Sequence, residues 1–217
     1  MRFSVVNLLW LGFNLPIVLL LLSAIYVDNI SMIMVFIVTI ILSPFLLFPA
    51  TAGMFAMVRD WLIVKEQKSL ILSYWKHYRI NYKHSLIGGF VLTTIWTVLI
   101  ADFYYFQQSN VILFFSFLLF TVVLYVYTIN FFSVLVHYDI RLRLVFKNTL
   151  SLTLGSPILF FAILITNLVI LYVSINSFLF LLLFFTVSLI AFVSFSAFYR
   201  LYMKWLTHKN RGFSKYL

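Results

Sequence analysis

Six long apolar runs, at 5–27, 30–58, 86–106, 111–136, 157–175 and 178–199, constrain this chain more than any other feature. The hydrocarbon core of a bilayer is about 30 Å thick and takes about 20 helical residues, and each run meets that requirement. With 65% apolar residues and 9% charged, the 217-residue chain has too little polar surface to cover a soluble globule. Backbone groups in lipid must pair within their own segment, so the runs are read as helices; a barrel would need an alternating polarity that they lack. The expected fold is all-α: a single transmembrane domain over 1–217, a polytopic bundle of six helices arranged as three hairpins. The first run is long, preceded only by Arg2 and followed by no small-residue cleavage site, so it reads as a span rather than a signal peptide.

The separators between runs fall into two kinds. Those at 28–29, 107–110 and 176–177 are short and polar and hold no Lys or Arg. All 15 cations lie in the other set: Arg2, then Arg59, Lys65, Lys68, Lys76, Arg79 and Lys83, then Arg141, Arg143 and Lys147, and finally Arg200, Lys204, Lys209, Arg211 and Lys215. Short cationic loops stay on the cytoplasmic side, which places both termini there and turns each hairpin at the outer face. A net charge of +10 would suggest nucleic acid in a soluble protein; distributed in this way, it points to a membrane surface instead.

The segment "YWKHYRINYKHS", residues 74–85, carries most of that surface character. On a helix, Ile71, Tyr74, Trp75, Tyr78 and Tyr82 share one face, while Lys76, Arg79 and Lys83 gather on another. An aromatic stripe beside a basic one predicts an interfacial helix with rings inward and cations reaching anionic headgroups, each worth about 1 kcal/mol. Arg143, Phe146, Lys147, Thr149 and Leu150 follow Arg79, Tyr82, Lys83, Ser85 and Leu86 at constant offset, and Arg200, Tyr202, Lys204 and Trp205 repeat the flavour. Internal duplication and a shared selection for aromatic and basic residues at this face both account for the pattern. The expected lipid-headgroup contacts are Trp75, Lys76, Tyr78, Arg79, Tyr82, Lys83, Arg143, Lys147, Arg200 and Lys204.

Pro44 and Pro49 predict a kink or break in the second run, because proline removes an amide donor and clashes with the preceding turn. Broken helices can expose backbone groups to a solute, which makes Pro44, Pro49, Thr51 and Gly53 a possible pathway, with Asp102 as the one acid inside a run. The bland readings are a tilted helix with no ligand and an acid near the interface. Pro16 reads as a packing kink, and Asn14, Asn130 and Asn167 as buried amides that join helices or line a polar cavity, joining being the favoured reading. Asp139 and Arg143, four apart, are expected as an exposed helical pair. His77, His84, His137 and His208 lack the spacing of a metal site, cysteine is absent, and no nucleotide-binding loop, serine elbow or zinc-protease motif occurs. No cofactor, no metal and no enzymatic activity are expected.

Three stretches, "NLLWLGFNLP" (7–16), "FPATAGMFAMVRDWL" (48–62) and "SYWKHYRINYKHSLIGG" (73–89), together resemble the YesL-like family of bacterial membrane proteins, which carries a domain of unknown function. The resemblance rests on Leu15-Pro16, on Pro49-Ala50-Thr51-Ala52, on Arg59 with Trp61, and on the aromatic-basic segment from Tyr74 to Lys83. It covers the first 90 residues, and beyond them mainly hydropathy and the segment from Arg143 to Pro157. The stretch 31–48 ahead of Pro49 is longer than the family pattern. The resemblance implies a bacterial cell-membrane location, architecture rather than catalysis, and an accessory role in carbohydrate uptake or sensing. The leading expectation is a regulatory or accessory subunit partnering a transporter or sensor kinase; the alternative is a small transporter or channel using the proline-broken run.

Overall fold

The computed structural model describes residues 2–26, 31–63, 69–106, 111–176 and 179–213. Lys65, Lys68, Lys215 and the separators 28–29, 107–110 and Ser177 lie outside the described residues. Those described form helices, with no strand among them: α1 (Arg2–Phe13), α2 (Leu15–Tyr26), α3 (Met32–Leu42), α4 (Leu47–Ile63), α5 (Leu70–Phe106), α6 (Val111–His137), α7 (Leu142–Gly155), α8 (Pro157–Asn176), α9 (Leu179–Phe184) and α10 (Thr186–Phe213). α5, α6, α8 and 186–207 of α10 are each long and apolar enough to cross a membrane. Counting the bent pairs α1–α2 and α3–α4 as one span apiece brings the number to six.

The first pair bends by 75°, far more than the packing kink expected from Pro16. The chain turns at Asn14, one residue before α2 begins. Its amide points to the carbonyls of both Trp10 and Leu11, and its side-chain Nδ2 donates to Trp10 O at 2.8 Å. Asn14 therefore caps its own helix rather than joining two. Pro16 cannot supply an amide to Gly12, so a continuous helix would lose a bond at this point.

The second pair bends by 51° at a break that holds Pro44, with Pro49 in the first turn of α4, in the region where the sequence predicts a kink. Phe45 turns its amide to Leu42 in a tight turn, and Phe48 reaches back to Ser43. Beyond the bend, α4 is buried from Phe48 to Val58 except at half-buried Thr51 and lies against α1, α5, α6 and α10. A helix covered on every side needs small residues where backbones approach. A Cβ added at Gly53 would stand 3.4 Å from the backbone of Tyr78, and one at Gly89 would stand 3.1 Å from Pro44 Cα.

α5 is the largest departure from expectation. Its 37 residues form one unbroken helix, about 55 Å long at 1.5 Å per residue, so 71–85 is not a separate interfacial helix. Gly88 and Gly89 do not end a segment; they sit inside the helix and admit the Phe131 ring and Phe48. The corresponding later segment does form its own helix, α7, which ends ahead of Ser156 and Pro157. Asp139 falls in the non-helical link before α7, so the expected helical pair with Arg143 does not form.

Polar side chains join the remaining helices. Asn130 donates to Thr153 and Asn167 to Ser194, as expected of amides between spans. Fully buried Asn7 donates to Leu183 O at 2.6 Å and accepts from Ser188 N at 3.0 Å, bridging the break between α9 and α10.

Candidate functional site

Two neighbouring residues at the end of α4 tie three helices together. Arg59 donates through Nε and Nη2 to Asp60 Oδ1, at 3.0 and 2.7 Å, and through Nη1 to Val136 O on α6. His77 Nε2 donates to Asp60 Oδ2 at 2.7 Å from α5. The cluster lies just past Val58, where the apolar run ends. Burial pushes the Asp60 carboxyl up, but hydrogen bonds and charge from His77 and Arg59 outweigh it, and the net shift is downward. Among the described residues no group of three potential ligands gathers to hold a metal.

A second feature lies at the α3–α4 bend. A cavity of about 340 Å³ opens there between the bend, α5 and α6, bounded in part by Ile40, Ser43, Thr51, Thr93 and Thr128. Pro44 has no N–H for Ile40 O, and Phe45 directs its amide to Leu42 rather than to Ile41. Thr93 Oγ1 is buried and has no hydrogen-bond partner in the protein. The bend thus leaves a carbonyl without its helical donor at a cavity that Thr93, with its unpaired hydroxyl, also borders.

The structure distributes the five possible pathway residues unevenly. Thr51 lines the cavity, accepting from Trp10 Nε1 at 3.0 Å and donating to Leu47 O at 2.7 Å. Pro44 borders an adjoining cavity with Phe45 and Phe90, Pro49 is buried in α4, and Gly53 is pressed against Tyr78. Asp102 stands apart, in a separate cavity between α5 and α6 with Thr94 and Phe117.

The headgroup candidates divide by side-chain type. Lys76, Arg79, Lys83, Arg143, Lys147, Arg200 and Lys204 are exposed. The rings pack on protein instead: Phe13 stacks on Tyr78 at 4.5 Å and on Trp75 at 5.6 Å, and Tyr82 follows Tyr78 at 5.5 Å. Trp75 remains about half exposed. Tyr74, read as part of the same stripe, is wholly buried and donates to Ala50 O at 2.8 Å.

Sequence reasoning missed Asp60 and Asn7. Asp60 was visible only as one of three acids, with Glu66 and Asp139, among the cations of that face, and Asn7 as a lone amide in an apolar run.

The chain is 28% identical over 163 residues to the uncharacterized protein YteU of Bacillus subtilis (strain 168), an alignment that covers 71% of this chain and 60% of that relative. No solved structure matches it. Residues 3–103, from α1 through most of α5, match the family described as "Protein of unknown function, DUF624", so the similarity falls on the two bent pairs and the Arg59–Asp60–His77 cluster.

Proposed function

We propose that this is a non-enzymatic accessory or regulatory protein of the bacterial cell membrane, with six spans and both termini cytoplasmic, serving carbohydrate uptake or sensing. Its partner is a transporter or sensor-kinase subunit, and its cationic face meets anionic headgroups. The observation that carries the reading is the packing of α4. Ala52, Met54, Ala56 and Met57 have no exposed surface, so beyond Thr51 the helix at the centre of the bundle borders no open lumen along that stretch. The carbohydrate link rests on the family resemblance alone. Cross-linking in native membranes followed by purification in mild detergent is expected to recover one stoichiometric partner. A protein isolated alone in repeated trials would count against the accessory role.

The cavity at the α3–α4 bend favours a second reading, a small transporter or channel. Donorless carbonyls at helix breaks coordinate solutes or ions in such proteins. In proteoliposomes that reading requires a flux, and Asp102→Asn is expected to abolish it if the acid couples transport. Unchanged flux would remove Asp102 from the pathway.

A further inference from the structure

A cleft between α8 and α10 has the chemistry of a lipid site. We propose that it holds one phospholipid with an anionic phosphate headgroup, the phosphate on Arg200 and an acyl chain along the groove. The proposal rests on the membrane reading above. The cleft encloses about 470 Å³, within the roughly 300–1,000 Å³ of ligand pockets. Ala162 on α8 and Ala197 on α10 keep it open because both are small, while Leu62 and Phe192 supply apolar walls. Ser196 and Arg200, four apart on α10, both line it.

Two polar groups in this cleft are left unpaired. Ser196 Oγ is buried and has no hydrogen-bond partner in the protein. Arg200 is exposed and, among the described residues, forms no ion pair; Asp60 is already committed to Arg59 and His77. A planar guanidinium binds phosphate oxygens bidentately, and the serine hydroxyl can donate to the same group. The hydrocarbon walls favour a lipid over free phosphate, since a hydrated anion gains nothing from Phe192 or Leu62. No acidic side chain lines the cleft to receive the ammonium of a zwitterionic headgroup.

The test uses the full chain in mild detergent with phosphatidylglycerol and phosphatidylcholine of matched acyl chains, and counts retained lipid by native mass spectrometry. One phosphatidylglycerol is expected to be retained in preference. Arg200→Gln should lower its retention about fivefold, the worth of one cation near an anionic surface, and Arg200→Lys should restore only part of it, since an ammonium keeps the charge but not the bidentate geometry. Ser196→Leu should fill the floor and remove retention with Arg200 intact; if that variant does not fold, the exposed Arg200 variants decide. Arg141→Gln, at an exposed cation outside the cleft and outside the expected headgroup contacts, should change little. Equal retention of the two lipids by the unaltered protein would overturn the site. So would an equal fall with Arg141→Gln, or displacement of the lipid by inorganic phosphate at matched concentration. Lipid retained without headgroup preference defeats this proposal alone, whereas a chain that stays dispersed without detergent and retains no lipid defeats the membrane reading too.

Discussion

α3 and α4 are consecutive halves of one apolar run, yet they end in opposite surroundings. Along α3, Met32, Ile33 and Met34 are 66%, 72% and 65% exposed, and the helix packs chiefly on α2. Along α4, Ala50, Ala52, Met54 and Ala56 are 0% exposed, under four other helices. Hydropathy does not separate the two. Lipid tails are as apolar as leucine, so burial inside a membrane bundle is decided by how closely backbones can approach. The segment "PATAGMFAM" permits that approach, and "MIMVFIVTII", with its branched and long side chains, does not.

The sharpest way to break this contrast is to truncate one large side chain on each helix. Phe55 is 1% exposed and stacks on Phe132 at 5.5 Å. Phe55→Ala should cost about 2–3 kcal/mol, below the roughly 3–5 kcal/mol seen in aqueous cores because the hydrocarbon surroundings weaken the transfer contribution and leave mainly the cavity. Ile33→Ala on α3 should cost well under about 1 kcal/mol, since lipid closes over the gap. Thermal unfolding of both variants in the same nanodiscs measures the difference; equal losses would mean that α3 is as tightly packed as α4.

A second comparison uses one substitution at two glycines. At Gly89 a Cβ would meet Phe48 at 2.9 Å and the Pro44 backbone at 3.1 Å, so the α3–α4 bend itself would have to move. Gly89→Ala should destabilise by about 1–3 kcal/mol. At Gly12 nothing lies within 4 Å, and Gly12→Ala should stabilise by about 0.5–1 kcal/mol through the unfolded chain. The two shifts in midpoint temperature should therefore have opposite signs. Loss at both positions would show that Gly12 also serves a close contact.

The sequence announced some of this arrangement and concealed the rest for definite reasons. Pro44 and Pro49 mark the second bend because a missing amide is a local property. The first bend falls at Asn14 rather than Pro16 because the asparagine side chain competes for the Trp10 carbonyl, a contest that residue type alone does not decide. The aromatic periodicity at 74–82 correctly groups Tyr74, Trp75 and Tyr78, but periodicity says which residues share a face and not what covers it. Phe13, 61 positions from Tyr74 in the sequence, covers part of that face. Gly88 and Gly89 read as the lead-in to a span; inside a continuous helix the same absence of a side chain serves close packing. In the candidate site, Thr51 was legible from its place after the bend, whereas Thr93 was not. Asp60 and His77 are 17 residues apart on different helices, so no local spacing could join them.

That pair allows the finest test of the contrast, because it closes the end of α4 by charge where the middle closes by shape. Asp60→Asn keeps the volume and removes the carboxylate that holds His77 and Arg59. The side chains of Arg59 and Asp60 remain 30% and 16% exposed, so solvent screening limits the expected cost to about 1 kcal/mol at neutral pH. The pH dependence carries a sign. A carboxyl whose folded pKa is depressed contributes stability that is present above its unfolded value, near 3.8, and is lost as pH falls through the folded value. Unfolding midpoints of the unaltered protein should therefore fall as pH drops below about 4, relative to those of Asp60→Asn, and the two curves should converge under acid conditions. A constant offset at every pH would mean that Asp60 acts through hydrogen-bond geometry alone, so that charge does not close the end of α4.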